Sequence, residues 1–89
     1  MKTYHLIFNG RVQKVGFRYF VQKTAWEIGI FGWVRNNYDG SVETMFQGTP
    51  SNCRLFMEQI KTGPKTALVT QCQEQILDLL PFENFTIKG

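Results

Sequence analysis

The sequence has few of the residues from which disulfide frameworks and metal sites are built. Its 89 residues include one histidine and two cysteines, Cys53 and Cys72, which lie far apart and without CxxC spacing. A secreted domain of this length held by disulfides usually has more cysteines, so we expect both thiols to be reduced and buried. With a single histidine and no cluster of Cys, His, Asp and Glu at ligand spacing, we expect no metal and no cofactor.

Motifs for several large enzyme classes and for membrane insertion are also missing. There is no GxSxG nucleophile elbow and no GxxxxGK[ST] phosphate loop. The apolar run near the N-terminus ends at Asn9-Gly10, which is too short for a signal peptide, and no stretch is long enough to span a membrane. We therefore expect a cytoplasmic protein without a membrane partner.

The composition is that of an ordinary globular protein. Hydrophobic residues make up 43% and charged residues 19%, and eight Phe, three Tyr and two Trp can fill a small core. This length predicts one domain over residues 1–89. The net charge of +3 suits a small anionic ligand and only weakly suggests nucleic acid. We expect a monomer that does not bind nucleic acid.

Hydrophobic periodicity predicts five strands and two helices. The strands are predicted over 3–9, 30–36, 41–48 and 66–76, with a short last strand around Phe85 and Ile87. The helices are predicted from Phe17 to Ile28, ended by Gly29, and from a cap at Thr49 or Ser51 to Gly63-Pro64. Their apolar stripes consist of Phe17, Phe20, Val21, Thr24, Ala25 and Ile28 in the first, and Cys53, Phe56, Met57 and Ile60 in the second.

The order of these elements is β-α-β-β-α-β with a short additional C-terminal strand. It predicts an α+β ferredoxin-like sandwich, in which an antiparallel sheet carries both helices on one face and the last strand lies at an edge. Because this fold serves many functions, the chemistry has to be inferred from particular residues.

The segment from Gly10 to Arg18 combines features of an anion site. The backbone N–H groups at a helix N-terminus have no intrahelical partners, and the helix dipole makes their surroundings positive. Gly16 permits close backbone approach, and the guanidinium of Arg18 is a forked donor suited to phosphate. From these residues alone, an oxyanion site and a solvated arginine remain equally good interpretations.

Two segments resemble the acylphosphatase family. GRVQKVGFR, residues 10–18, is close to the family signature GRVQGVGFR, and GWVRNNYDGSVE, residues 32–43, supplies the downstream G-x-V-x-N. The resemblance extends over nearly the whole chain. It implies metal-independent hydrolysis of the carboxyl-phosphate bond of small acyl phosphates, which gives a carboxylate and inorganic phosphate.

The resemblance also implies roles for particular residues. Arg18 would bind the phosphoryl group and Asn36 would hold the attacking water. Backbone N–H groups of a phosphate loop would assist Arg18; its residues are Gln13, Lys14, Val15, Gly16 and Phe17. Without the resemblance, Asn36 reads more readily as a turn residue ahead of Asp39-Gly40.

Lys14 departs from the family pattern, which has glycine at this position. If the position requires φ > 0, a lysine costs about 1–2 kcal/mol of local strain. Its side chain could obstruct the phosphate cradle or add a second cation beside the ligand, and these alternatives predict opposite effects on turnover. We expect the anion site to survive and the activity to be altered.

Residues around the motifs have more ordinary interpretations. His5 is expected to be structural or exposed, and Arg35 to be solvated on the face of its strand opposite to Asn36. Trp26 and Trp33 are expected to be packing residues. Tyr19 fits either the rim of the site or the helix surface.

Two further functions compete with hydrolysis. Ferredoxin-like domains also bind RNA through aromatic side chains on the open face of the sheet, and KVGFRYFV, residues 14–21, has some character of such a motif. It lies at a loop-to-helix junction, however, and not on a central strand. The other alternative is an acylphosphatase-like domain that only binds anions, or one that belongs to a larger carbamoyl-phosphate-handling enzyme.

Overall fold

The structure, a computed structural model, describes residues 2–88. Its elements are β1 (Thr3–Arg11), α1 (Phe17–Ile28), β2 (Phe31–Asn36), β3 (Val42–Gln47), α2 (Pro50–Thr62), β4 (Leu68–Leu77) and β5 (Phe85–Lys88). Both the order and the ferredoxin-like α+β class agree with the prediction. No helix in this part of the chain is long and apolar enough to cross a membrane.

The five strands form one sheet in the order β4-β1-β3-β2-β5. The pairs β1–β3, β1–β4 and β2–β3 are antiparallel, whereas β5 pairs with β2 in parallel. The expectation of an antiparallel sheet is therefore wrong at β5, and the sheet is mixed. The reason is the direction of β4, which runs opposite to β2. It ends where β2 begins, so residues 78–84 cross the sheet there and β5 starts alongside β2.

The core lies between one face of the sheet and the two helices. Alternate strand residues such as Leu6, Phe8 and Val34 are completely buried. Rings from different elements pack edge to face: Phe46 of β3 lies 4.7 Å from Phe56 of α2 between ring centroids, and Phe56 lies 5.9 Å from Phe85 of β5. Burial of each such ring stabilises the fold by about 1.5–3 kcal/mol.

The predicted helix stripes face this core. Most of their residues are buried, while Phe20, Ile28 and Met57 are half-buried and pack against its edge. The helix boundaries follow their local signals. Gly29 adopts φ 95° at the end of α1, and Thr49 caps α2 by accepting a hydrogen bond from the Asn52 N–H.

The open face of the sheet carries a charged network centred on Glu43. Its carboxylate contacts the His5 ring at 2.5 Å and the Arg35 guanidinium at 2.8 Å. Arg35 is thus exposed on the expected face, and there it is also paired with Glu43. It also lies over the ring of Trp33, which is only 8% exposed and is contacted by Lys88 as well.

Two expectations about packing need correction. Trp26 does not pack into the core: it is 64% exposed, and its indole N–H donates to the carbonyl of Phe85. Both cysteines are free thiols, but only Cys53 is buried, whereas Cys72 is half-buried on the edge strand β4. Because β4 is at the edge of the sheet, one side of Cys72 has no neighbouring strand and is open to water.

Candidate active site

The loop between β1 and α1 is bent into an unusual backbone conformation. It follows the end of β1, where the pairing with β4 is irregular at Gly10 and a side chain on Gly10 would collide with the carbonyl oxygen of Leu68. Lys14 has φ 62° and Gly16 has φ 76°, both in the left-handed region. Lys14 therefore occupies the kind of position for which glycine is suited, as the departure from the family pattern indicated.

The phosphate loop exposes several backbone donors. Within residues 2–88, the N–H groups of residues 14–17 donate to no other group. Gly16 occupies the N-cap position of α1 without a capping side chain, the first turn contains no acidic residue, and the position where a Cβ would lie is open. Successive free N–H groups at a helix N-terminus form a concave, positively polarised cradle for an anion.

A cavity of about 200 Å³ lies beside this cradle. Its lining residues are Val12, Lys14, Gly16, Phe17, Arg18, Tyr19, Asn36 and Ile87. Arg18 comes from the first turn of α1 and Asn36 is the last residue of β2. They meet because β1 and β2 both pair antiparallel with β3 and so end at the same edge of the sheet.

The side chain of Asn36 has an unsatisfied acceptor. In the described part of the chain, its Oδ1 is the one buried side-chain nitrogen or oxygen without a hydrogen-bond partner. Buried acceptors nearly always have a partner, and because Asn36 lines the cavity, a ligand or water there is the candidate donor to this atom. A turn residue would not require this placement, and the side chain is suited to contacting a bound water through its carbonyl and NH₂ groups.

Two side chains fix the phosphate loop from outside the cavity. Gln13 Nε2 donates to the carbonyl oxygens of Asn37 at 2.7 Å and Ser41 at 2.9 Å. Thr66 Oγ1 donates to the carbonyl oxygen of Val15 at 2.7 Å. The first contact connects the loop to the β2–β3 turn, and the second connects it to the segment before β4.

The turn after Asn36 is itself held by polar contacts. Asp39 accepts from both the side chain and the backbone N–H of Ser41, at 2.6 and 2.9 Å. These hydrogen bonds, with that from the Ser41 side chain as the largest cause, lower the pKa of Asp39. The carboxylate of Asp39 therefore stays charged and orders the turn. Gln13 donates its hydrogen bonds to the backbone carbonyl groups of this turn.

The structure gathers most of the sequence-predicted residues around one cavity and assigns the others to its support. Lys14, Gly16, Phe17, Arg18 and Asn36 line it. The side chain of Gln13 faces the turn instead, and Val15 is half-buried against the core. Tyr19, which fitted two positions, is 72% exposed at the rim of the cavity.

Three contributors were not anticipated from the sequence. Val12 and Ile87 supply apolar cavity wall, and Thr66 anchors the loop. The alternation of the last strand could have indicated an inward-facing Ile87. No local signal distinguishes Thr66 from any other loop threonine, because its partner lies 51 positions away.

Comparison with known proteins gives the same assignment as the motifs. A family model described as Acylphosphatase matches residues 4–87. The chain belongs to the acylphosphatase family. Its relatives include the acylphosphatase of Geobacillus thermodenitrificans strain NG80-2, which is 46% identical over 83 residues, or 93% of this chain and 88% of the relative. That of Bacillus pumilus strain SAFR-032 is 42% identical over 100% of both chains.

Solved structures of acylphosphatases share the fold. The crystal structure of the Bacillus subtilis acylphosphatase has a TM-score of 0.96 at 38% identity and covers 100% of both chains. A crystal structure of full-length HypF in the phosphate- and nucleotide-bound form contains a similar unit, with a TM-score of 0.89 at 27% identity; it matches 99% of this chain but only 12% of HypF. The predicted family, fold class and enzyme class, acylphosphatase, are confirmed.

Proposed function

We propose that this acylphosphatase hydrolyses its acyl phosphate substrate in the cavity between Arg18 and Asn36. Arg18 and the backbone N–H groups of residues 13–17 hold the phosphoryl oxygens, and Asn36 orients the attacking water. The observation that carries the proposal is that Asn36, whose buried Oδ1 has no partner within the described residues, lines the same cavity as Arg18, beside the free loop N–H groups.

The reaction requires positioning and positive charge more than a strong base. The water oxygen forms a bond to phosphorus while the bond between phosphorus and the acyl oxygen breaks, and the carboxylate leaves with the electron pair. One water proton passes to a phosphoryl oxygen, so inorganic phosphate is the second product. Arg18 and the loop N–H groups stabilise charge on the equatorial oxygens, and Asn36 aligns the water with the leaving oxygen.

The proposal also includes the oligomeric state, the location and the substrate class of the protein. A single domain over residues 1–89 acts as a monomer in the cytoplasm on a small acyl phosphate, without nucleic acid. The small cavity and the mild net charge of +3 support a small anionic substrate.

RNA binding is the less favoured function on the geometry of the sheet. Recognition of RNA by ferredoxin-like domains uses exposed aromatic faces on the open side of the sheet. Here Trp33 is 8% exposed and is covered by Arg35 and Lys88. The motif KVGFRYFV lies at the loop and the start of α1, where Arg18 and Gly16 line the small cavity.

The deciding experiment measures hydrolysis of benzoyl phosphate, with inorganic phosphate as competitor. Hydrolysis that phosphate inhibits competitively is the expected result. Phosphate binding without hydrolysis would instead indicate a non-catalytic anion-binding domain. Salt-dependent binding of single-stranded RNA, with neither of the other properties, would favour the RNA-binding alternative.

A further inference from the structure

Lys14 is a second cation in the cavity of Arg18. It is exposed and lines the cavity, while none of the lining residues is Asp or Glu. Within residues 2–88 it forms no ion pair, in contrast to Arg35 and Lys61. The positive charge of Lys14 is therefore not balanced by any carboxylate of the described chain.

The backbone conformation at Lys14 is a second indication that this residue has a functional role. Its φ of 62° is the one positive φ of a non-glycine residue in the described part of the chain. Glycine would adopt this conformation without strain, and strained residues cluster at functional sites. Lys14 lines the cavity, and its flexible four-carbon stem gives the ammonium a range of positions beside the backbone donors.

We propose that Lys14 selects acyl phosphates whose acyl group carries a second anionic group, such as a carboxylate or a phosphate. The inference rests on the function proposed above. The phosphoryl end of the substrate is provided for by Arg18 and the loop N–H groups, so the ammonium of Lys14 is available to the acyl end. A neutral acyl group gains nothing from it, whereas an anionic one gains a favourable charge interaction.

Two substrates of equal size separate charge from shape. The probes are 4-carboxybenzoyl phosphate and 4-carbamoylbenzoyl phosphate, and the readout is the ratio of their kcat/KM values. Because the ratio is compared between enzyme variants, the different leaving-group reactivities of the two substrates cancel. The variant is Lys14→Gln, the conservative variant is Lys14→Arg, and the matched control is Lys23→Gln, an exposed lysine outside the cavity lining.

We expect Lys14→Gln to lower the ratio about two- to fivefold, the range for an exposed charge pair. Lys14→Arg should retain the ratio of the native chain, as should Lys23→Gln, and added salt should weaken the preference of the native chain. Circular dichroism confirms that each variant is folded.

The two proposals fail in different ways. An unchanged ratio in an active Lys14→Gln variant, or an equal loss on both substrates, would overturn the selection by Lys14 and leave the proposed hydrolysis intact. If the native chain hydrolyses neither probe nor benzoyl phosphate, the proposed function is wrong and the inference fails with it.

Discussion

The side-chain amide of Gln13 lies 2.7 Å from the carbonyl oxygen of Asn37, to which it donates a hydrogen bond. This contact joins the phosphate loop to the residue directly after Asn36. The phosphate cradle and the proposed water-holding residue are thus connected by a side chain that does not line the cavity. Gln13 is a positioning residue in this arrangement.

Gln13→Ala should therefore impair turnover without removing any group that contacts the substrate. We expect kcat/KM for benzoyl phosphate to fall about 10- to 100-fold, since small misplacements of reacting groups have effects of this order. Gln13→Glu keeps the size but cannot donate to the two carbonyl groups, so it should be at least as damaging. Gln71→Ala, at an exposed glutamine of β4, serves as the control. Full activity of Gln13→Glu would show that these hydrogen bonds do not position the site.

Arg18→Ala tests the phosphoryl-binding role. Removing one preorganised donor for developing charge should lower kcat/KM at least about 10²-fold. The affinity for inorganic phosphate, measured as a competitive inhibition constant, should weaken in parallel. Arg54→Ala, at an exposed arginine of α2, should change neither quantity. Near-native hydrolysis by Arg18→Ala would exclude Arg18 from the mechanism.

Asn36→Ala separates binding from chemistry. We expect kcat to collapse while inorganic phosphate still inhibits with its native affinity, because the water and not the phosphoryl group loses its contact. Since Asn36 Oδ1 has no partner in the described protein, the free energy of unfolding should change by less than about 0.5 kcal/mol. Loss of phosphate binding, or a large loss of stability, would contradict the water-holding role.

Lys14→Gly should stabilise the fold. Glycine adopts φ 62° without the contact between Cβ and carbonyl that strains lysine there, so the free energy of unfolding should rise by about 1 kcal/mol. Urea denaturation measures the free energy of unfolding, and a Lys65→Gly variant in the loop between α2 and β4 serves as the matched comparison. A decrease at position 14 as large as at position 65 would mean that the strain is not released. A strong rise in kcat would show that the side chain obstructs the cradle.

The network around Glu43 predicts a pH dependence of stability. Burial raises the pKa of Glu43, but hydrogen bonds from His5 and Arg35 outweigh this effect. The pKa of Glu43 therefore lies below its ordinary value of 4.5. A carboxyl whose pKa is lower in the folded state contributes stability above its unfolded pKa and loses it as pH falls through the folded pKa. As the pH falls below about 4.5, the free energy of unfolding should therefore decrease less steeply for Glu43→Gln than for the native chain. Glu58→Gln, at an exposed residue of α2, should leave it unchanged.

Local signals in the sequence were sufficient for the order of the elements. Gly29 and Thr49 ended and began helices at the expected residues because each acts on its own neighbouring backbone. The predictions of a wholly antiparallel sheet and of a packed Trp26 were wrong. Both features depend on which strand the chain reaches after residues 78–84.

In the proposed site, too, some features could be predicted from the local sequence and others depend on the fold. By itself, the sequence determined that the loop before Arg18 has the features of an anion site, which follow from local backbone chemistry, and its resemblance to the family pattern placed Lys14 in a glycine position. Only the tertiary structure decided that Asn36 meets Arg18 in one cavity and that Gln13 faces the turn. Those relationships arise because β1 and β2 both pair with β3 and end at the same edge, which joins residues far apart in the chain.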